Sequence, residues 1–173
     1  MPRGYEVKGD DRLPSSRFAR PEAVAVLPRT IEQAGAICYR ASADNAIEVL
    51  LVTSRRNGSW GIPKGQIEAG ESSAVAAARE AMEEGGVSGV VSRETIGSFD
   101  YTKEGSDLSY HISVHLLEVK ETLADFPEKQ IRRLKWTPLD AAVNQVSQPG
   151  LRDLLLCSGG RIRPQILDSV LIS

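Results

Sequence analysis

Residues 65–87, GQIEAGESSAVAAAREAMEEGGV, constrain this chain more than any other stretch. The run from Ser72 to Glu84 is rich in alanine, the strongest helix former, lacks proline and internal glycine, and meets a stop at Gly85-Gly86. It predicts a helix over 72–84. At about 100° per residue, Ala74, Val75, Ala78, Ala81 and Met82 share one side, a small flat surface suited to lying close on a sheet. Glu80, Glu83 and Glu84 share the other side within one turn, with Ser73 and Ala76 beneath them.

Such an arrangement is costly for a helix that only has to fold. Like charges at i, i+3 and i+4 destabilise by roughly 0.2–0.5 kcal/mol per pair. The acids also occupy the C-terminal end, where the macrodipole disfavours anions. A bound divalent cation reverses both penalties, and oxygen ligands without Cys or His point to Mg²⁺, with Mn²⁺ as its substitute. A solvated acidic face is the plain alternative for an isolated EAMEE segment.

The spaced pattern G-x5-E-x7-R-E-x-x-E-E-x-G-V, from Gly65 through Glu71 and Arg79-Glu80 to Val87, resembles the Nudix box, the signature of the Nudix hydrolases. Every charged and glycine position of that signature is present in register. Ala81 departs from it, where the family usually carries a larger aliphatic residue. The phrases around IPKG and after the box are most similar to the diphosphoinositol polyphosphate and diadenosine polyphosphate hydrolases. A single glycine after Lys64 departs from the glycine run of several of those members. No P-loop, GxGxxG or GxSxG motif competes with this reading.

The surrounding chain predicts a single α/β domain over residues 31–157, flanked by a polar N-terminal tail (1–30) and a C-terminal tail (158–173). Strands are expected over 32–40, 46–55, 87–94, 95–103, 108–119 and 134–137, with helical pieces over 139–145 and 151–157. The resemblance sharpens this to the Nudix fold, an α/β/α sandwich with a mixed central sheet and the box as a loop–helix–loop beside it. Charge is nearly balanced, at a formal −2, which leaves no footprint for duplex nucleic acid or an anionic membrane. Cys38 and Cys157 follow no metal or redox spacing. With no signal peptide and no 18-residue apolar run in the sequence, the expected location is the cytoplasm. A monomer or a homodimer is expected.

The resemblance implies a Mg²⁺-dependent pyrophosphohydrolase that cleaves a phosphoanhydride in a polyphosphorylated small molecule by attack of water. Glu80, Glu83, Glu84 and the Gly65 carbonyl are the implied metal ligands. Glu84 is the first choice for activating water, and Glu128, in the loop after the long strand, is the second. Arg79 and Glu71 are read as an ion pair holding loop to helix around the catalytic acids. Lys64, Arg55, Arg56, His111, Arg132 and Arg133 are the candidate substrate-binding residues, with Lys103 beside them, and Trp60, Phe99 and Tyr101 could stack one ring. The favoured substrate is a diphosphoinositol or dinucleoside polyphosphate. A nucleoside triphosphate, a nucleotide sugar, an RNA end, or a catalytically silent ligand-sensing scaffold are the alternatives. The silent scaffold is disfavoured by the intact set Glu71, Glu80, Glu83 and Glu84.

Overall fold

A computed structural model describes residues 29–103 and 105–171. Two long strands organise it: β1 (Arg29–Ala41) and β7 (Leu108–Thr122), paired in parallel from Arg29↔Leu108 to Tyr39↔Glu118. Each changes its outer partner partway along. β1 pairs antiparallel with β4 (Lys64–Gln66) at Gln33–Gly35 and with β2 (Ile47–Thr53) at Tyr39–Ala41. β7 pairs antiparallel with β6 (Gly97–Thr102) through its first half and with β5 (Val87–Val91) through its second. β3 (Trp60–Gly61) and β8 (Leu134–Pro138) add to β2, completing the mixed sheet.

Alternation along the central strands divides the core in two. Ile37, Tyr39, Val49 and Leu51 face one layer, which contains α2 (Leu139–Ala142) and α3 (Pro149–Leu171). Ala34, Ala36, Cys38, Leu50 and Val52 face the other, where α1 (Ser73–Gly85) lies. β2 is therefore covered on both faces, as its apolar run predicts. Sheet between helices is the α/β/α architecture anticipated from the sequence.

The apolar face assigned to α1 holds at Ala78 and Ala81 and requires correction at Val75 and toward Ala76 and Ala77. Ala76, Ala77 and Ala81 are the fully buried alanines, together with Glu80, Glu84 and Gly85, whereas Val75 is 54% exposed. The helix is rotated so that two of its acids face the protein. Small side chains on both surfaces, Ala76 and Ala77 against Ala34 and Ala36, permit the close approach this requires. Ser72 caps the N-terminus, its Oγ accepting from the Val75 N–H at 3.3 Å.

The second correction concerns the C-terminal region. The helical piece expected to end at Cys157 continues as α3, and Ile162 is fully buried in the core. The helix runs through Gly159-Gly160 because Leu151, Leu155, Ser158 and Ile162 form one buried stripe, and tertiary packing outweighs glycine's low propensity. α2 is also shorter than the expected 139–145, strands β2 and β5 end earlier, and β1 and β7 run longer. All of the expected 1–30 tail except Arg29 and Thr30 lies outside the described residues.

Gly86 closes α1 in the left-handed conformation (φ 61°), and its N–H donates to the Met82 carbonyl at 3.1 Å. A Cβ there would come within 2.3 Å of the Phe126 ring. Gly86→Ala is therefore expected to destabilise by about 1–2 kcal/mol through left-handed strain and the displaced ring. Chemical denaturation measures it, and an unchanged midpoint would mean that Phe126 does not pack on this terminus.

Candidate functional site

A cleft of about 760 Å³ opens beside the C-terminal half of α1, where β1 passes from β4 to β2. Arg55, Arg56, Lys64, Gly65, Glu80, Glu83, Glu84, Lys103, Glu128 and Arg132 all line it. The cations ring an acidic floor.

Glu80 and Glu84 are buried, with 8% and 6% of their surface exposed. Burial raises the Glu80 carboxyl above its usual range against the pull of Arg79. The Glu80 carboxylate rests on Gly65, where a Cβ would lie 1.9 Å from Oε1. Only glycine fits that position. Burial pushes Glu84 up to about 7, opposed by Arg132 and by the Lys64 backbone N–H, which donates to Oε2 at 3.1 Å. The Lys64 ammonium is pushed below its usual range by burial, with Glu84 pulling it back.

Two arginines distribute the acid charge. Arg79 donates from Nε (2.9 Å) and Nη2 (3.0 Å) to Glu71, and from Nη1 to Glu80 (2.7 Å) and Glu83 (3.3 Å). Its Nη2 also donates to the Gln66 carbonyl at 3.0 Å, tying the loop to the helix. These bonds hold Glu71 below the usual carboxylate range. Arg132 forks between Glu84 and Glu128 and donates from Nη1 to the Thr53 carbonyl at 2.7 Å. The Glu128 N–H donates to the Glu83 carbonyl at 3.0 Å, fixing that loop against the end of α1.

Glu71, Arg79, His111 and Arg133 stand outside the cleft lining. Glu71 and Arg79 brace it from behind. On β7, Tyr110, Ile112 and Val114 face the core, so His111 takes the opposite face, where its Nδ1 lies 2.8 Å from Asp100 Oδ1. Arg133 turns away from its neighbour Arg132, and its guanidinium lies 5.6 Å from the centre of the Trp60 ring. Neither His111 nor Arg133 reaches the cleft as expected of a substrate contact.

Glu128 was the less favoured acid in sequence, and the fold brings it beside Glu84. Gln33 and Gln148 also line the cleft and carry no local signature. Gln33 is marked only by its place on β1 opposite Gln66. Tyr101 is stacked on Tyr110 with ring centres 5.0 Å apart, and the Lys64 Nζ lies 5.6 Å from the centre of the Tyr101 ring.

The donor set fits a hard divalent cation. Glu80 and Glu84 offer carboxylate oxygens largely stripped of water, above a glycine that leaves room a Cβ would fill. Among the described residues no three Asp, Glu, His or Cys side chains converge on one point as they stand.

A model of the NUDIX domain matches residues 31–155. The 8-oxo-(d)GTP phosphatase of Mycolicibacterium smegmatis is 32% identical over 73% of this chain and 40% of that protein. Nudix hydrolase 16, mitochondrial, of Arabidopsis thaliana is 32% identical over 64% of each chain. This chain thus spans less than two thirds of the length of either curated relative. The crystal structure of a Caenorhabditis elegans Ap4A hydrolase binary complex superposes with a TM-score of 0.62 at 25% identity, covering 78% of this chain and 98% of that one.

Arg79→Ala leaves Glu80 buried without its cationic partner. It is expected to cost on the order of 2 kcal/mol, below the 3–5 kcal/mol of a fully buried broken pair because Arg79 is partly exposed. Arg79→Lys should recover less than half of this, since one ammonium cannot serve three carboxylates and a carbonyl. Full recovery in a urea titration would show that charge alone is required.

Proposed function

The chain belongs to the Nudix hydrolase family, and from that premise we propose that it is a Mg²⁺-dependent pyrophosphohydrolase of polyphosphorylated small molecules. The observation that carries this reading is the pair of desolvated carboxylates, Glu80 and Glu84, on the floor of a cation-rimmed cleft. Glu80, Glu84 and the Gly65 carbonyl hold the cation in this proposal, with Glu83 contributing. When bound, Mg²⁺ neutralises phosphate oxygens and acidifies water. Mn²⁺ is expected to substitute for it.

Arg55, Arg56, Lys64 and Lys103 receive the phosphates and offset their charge. Water then forms a new P–O bond, the bridging P–O bond breaks, and one water proton passes to a carboxylate, for which Glu84 is our first choice. Its buried carboxyl, pushed up to about 7, suits a group that must take and release a proton near neutrality. Glu128 is the second choice, raised in standing by its place beside Glu84. Glu71 and Arg79 act by positioning these acids.

A diphosphoinositol or dinucleoside polyphosphate is the favoured substrate, supported by the basic rim and the likeness to the nematode Ap4A hydrolase. A nucleoside triphosphate is the second reading, favoured by the mycobacterial relative. Among the described residues no helix is long and apolar enough to cross a membrane. Cys38 and Cys157 are free thiols, in keeping with a reducing compartment such as the cytoplasm, and we propose a monomer or homodimer.

A phosphate-release screen with Mg²⁺ over diphosphoinositols, dinucleoside polyphosphates and triphosphates tests the substrate directly. Turnover of none of these would remove the proposal. Glu84→Gln should lower turnover about 10²-fold or more at saturating Mg²⁺ with the fold intact; near wild-type turnover would remove Glu84 from the mechanism. Because a protonated carboxyl cannot ligate, Mg²⁺ affinity should rise about tenfold from pH 6 to pH 8 and then level off as Glu84 loses its proton. Calorimetric titration at each pH measures it, and a flat profile would detach Glu84 from the metal.

A further inference from the structure

Arg132 does not behave as a surface cation waiting for substrate. Its side chain is only 8% exposed, and all three guanidinium nitrogens are engaged, with Glu84, Glu128 and the Thr53 carbonyl. Both oxygens of Glu84 are in turn committed, one to Arg132 and the other to the Lys64 N–H. Glu80 differs, since its arginine reaches it from outside the cleft and is shared with the loop.

We infer that Arg132 is a resident counter-cation, a positioning residue that neutralises Glu84 and Glu128 in the absence of metal and that a divalent ion displaces from Glu84 on binding. The inference rests on the metal-dependent reading of the cleft. Glu84 is buried and Glu128 is half-buried, and both bind the same guanidinium. Two partly desolvated carboxylates this close repel each other, so without a metal they need a compensating positive charge. A guanidinium supplies it with fixed planar donors that reach both acids at once. The same donors engage the carboxylate oxygens that an incoming ion would use. Nε on Glu128 and Nη1 on the Thr53 carbonyl remain as anchors, so the guanidinium withdraws from one acid without leaving its pocket.

A residue that merely supports the fold would weaken metal binding when removed, whereas a competitor strengthens it. Arg132→Met should therefore bind Mn²⁺ about tenfold tighter, read from the free-ion EPR signal, while turning over substrate more slowly. Arg132→Lys keeps the charge but loses the fork and should bind at least about threefold tighter. Equal or weaker Mn²⁺ binding in the Met variant overturns the inference. So does a Lys variant indistinguishable from wild type, which would leave only the field of a positive charge. Wild-type crystals soaked in Mn²⁺ give a reading free of any folding defect. An ion on Glu84 with the guanidinium withdrawn supports displacement, and an ion on Glu84 with the contact intact overturns it. Absence of Mn²⁺ from wild type in both measurements would overturn the metal-dependent reading itself, and the inference with it.

Discussion

The structure turns on how carboxylates are kept inside it. Glu80 and Glu84 are buried at the end of a helix whose dipole opposes them, and Glu71, Glu83 and Glu128 crowd around. Arg79 holds three of these acids and Arg132 holds the other two. The arginines differ in reach: Arg79 binds the loop and helix to each other from behind, and Arg132 crosses from a distant loop into the cleft. Arg79 thus serves framework and site together, through Glu71 and Glu80, whereas Arg132 serves the cleft acids, so the charge balance at Glu84 can change while the bracing persists.

This balance needs a sheet that opens at the right place. β1 gives up β4 before it takes up β2, and the cleft forms at that exchange. β4 consists of Lys64–Gln66, so the residues that fill the gap in pairing also supply the Lys64 N–H to Glu84 and the bare Gly65 backbone against Glu80. On the same buried face of α1, alanine against alanine brings the helix close enough for its acids to reach this edge. A larger side chain at Ala76 or Ala77 would lift the Glu80 carboxylate away from Gly65.

What the sequence revealed follows from locality. Glu80, Glu83 and Glu84 share one turn, and Glu71, Arg79 and Gly65 lie within a short spacing of them, so their association was legible as a pattern. The alternating run of β7 and the apolar run of β2 were legible for the same reason, and with them the layered fold. The face that α1 buries is not the one its own hydrophobicity marks, since Val75 is exposed and Glu80 and Glu84 are buried. The acids are turned inward by partners that the helix sequence does not contain. The continuation of α3 beyond Cys157 is set by a tertiary stripe through Leu155 and Ile162, which outweighs the low helix propensity of Gly159-Gly160.

The fork between Arg132 and Glu84 was the least visible feature, because 48 residues separate the two and no periodicity joins them. Arg132 and Arg133 are indistinguishable in sequence, yet one guanidinium is buried among acids and the other lies near Trp60. The difference arises from the loop that precedes β8. The Glu128 N–H is tied to the end of α1, and the Arg133 N–H is tied to Thr53 Oγ1 at 3.0 Å, which leaves Arg132 a single course, inward beneath Thr53. Backbone bonds made for the sake of the sheet therefore decide which of two adjacent arginines enters the site, and with it how the cleft balances its own charge.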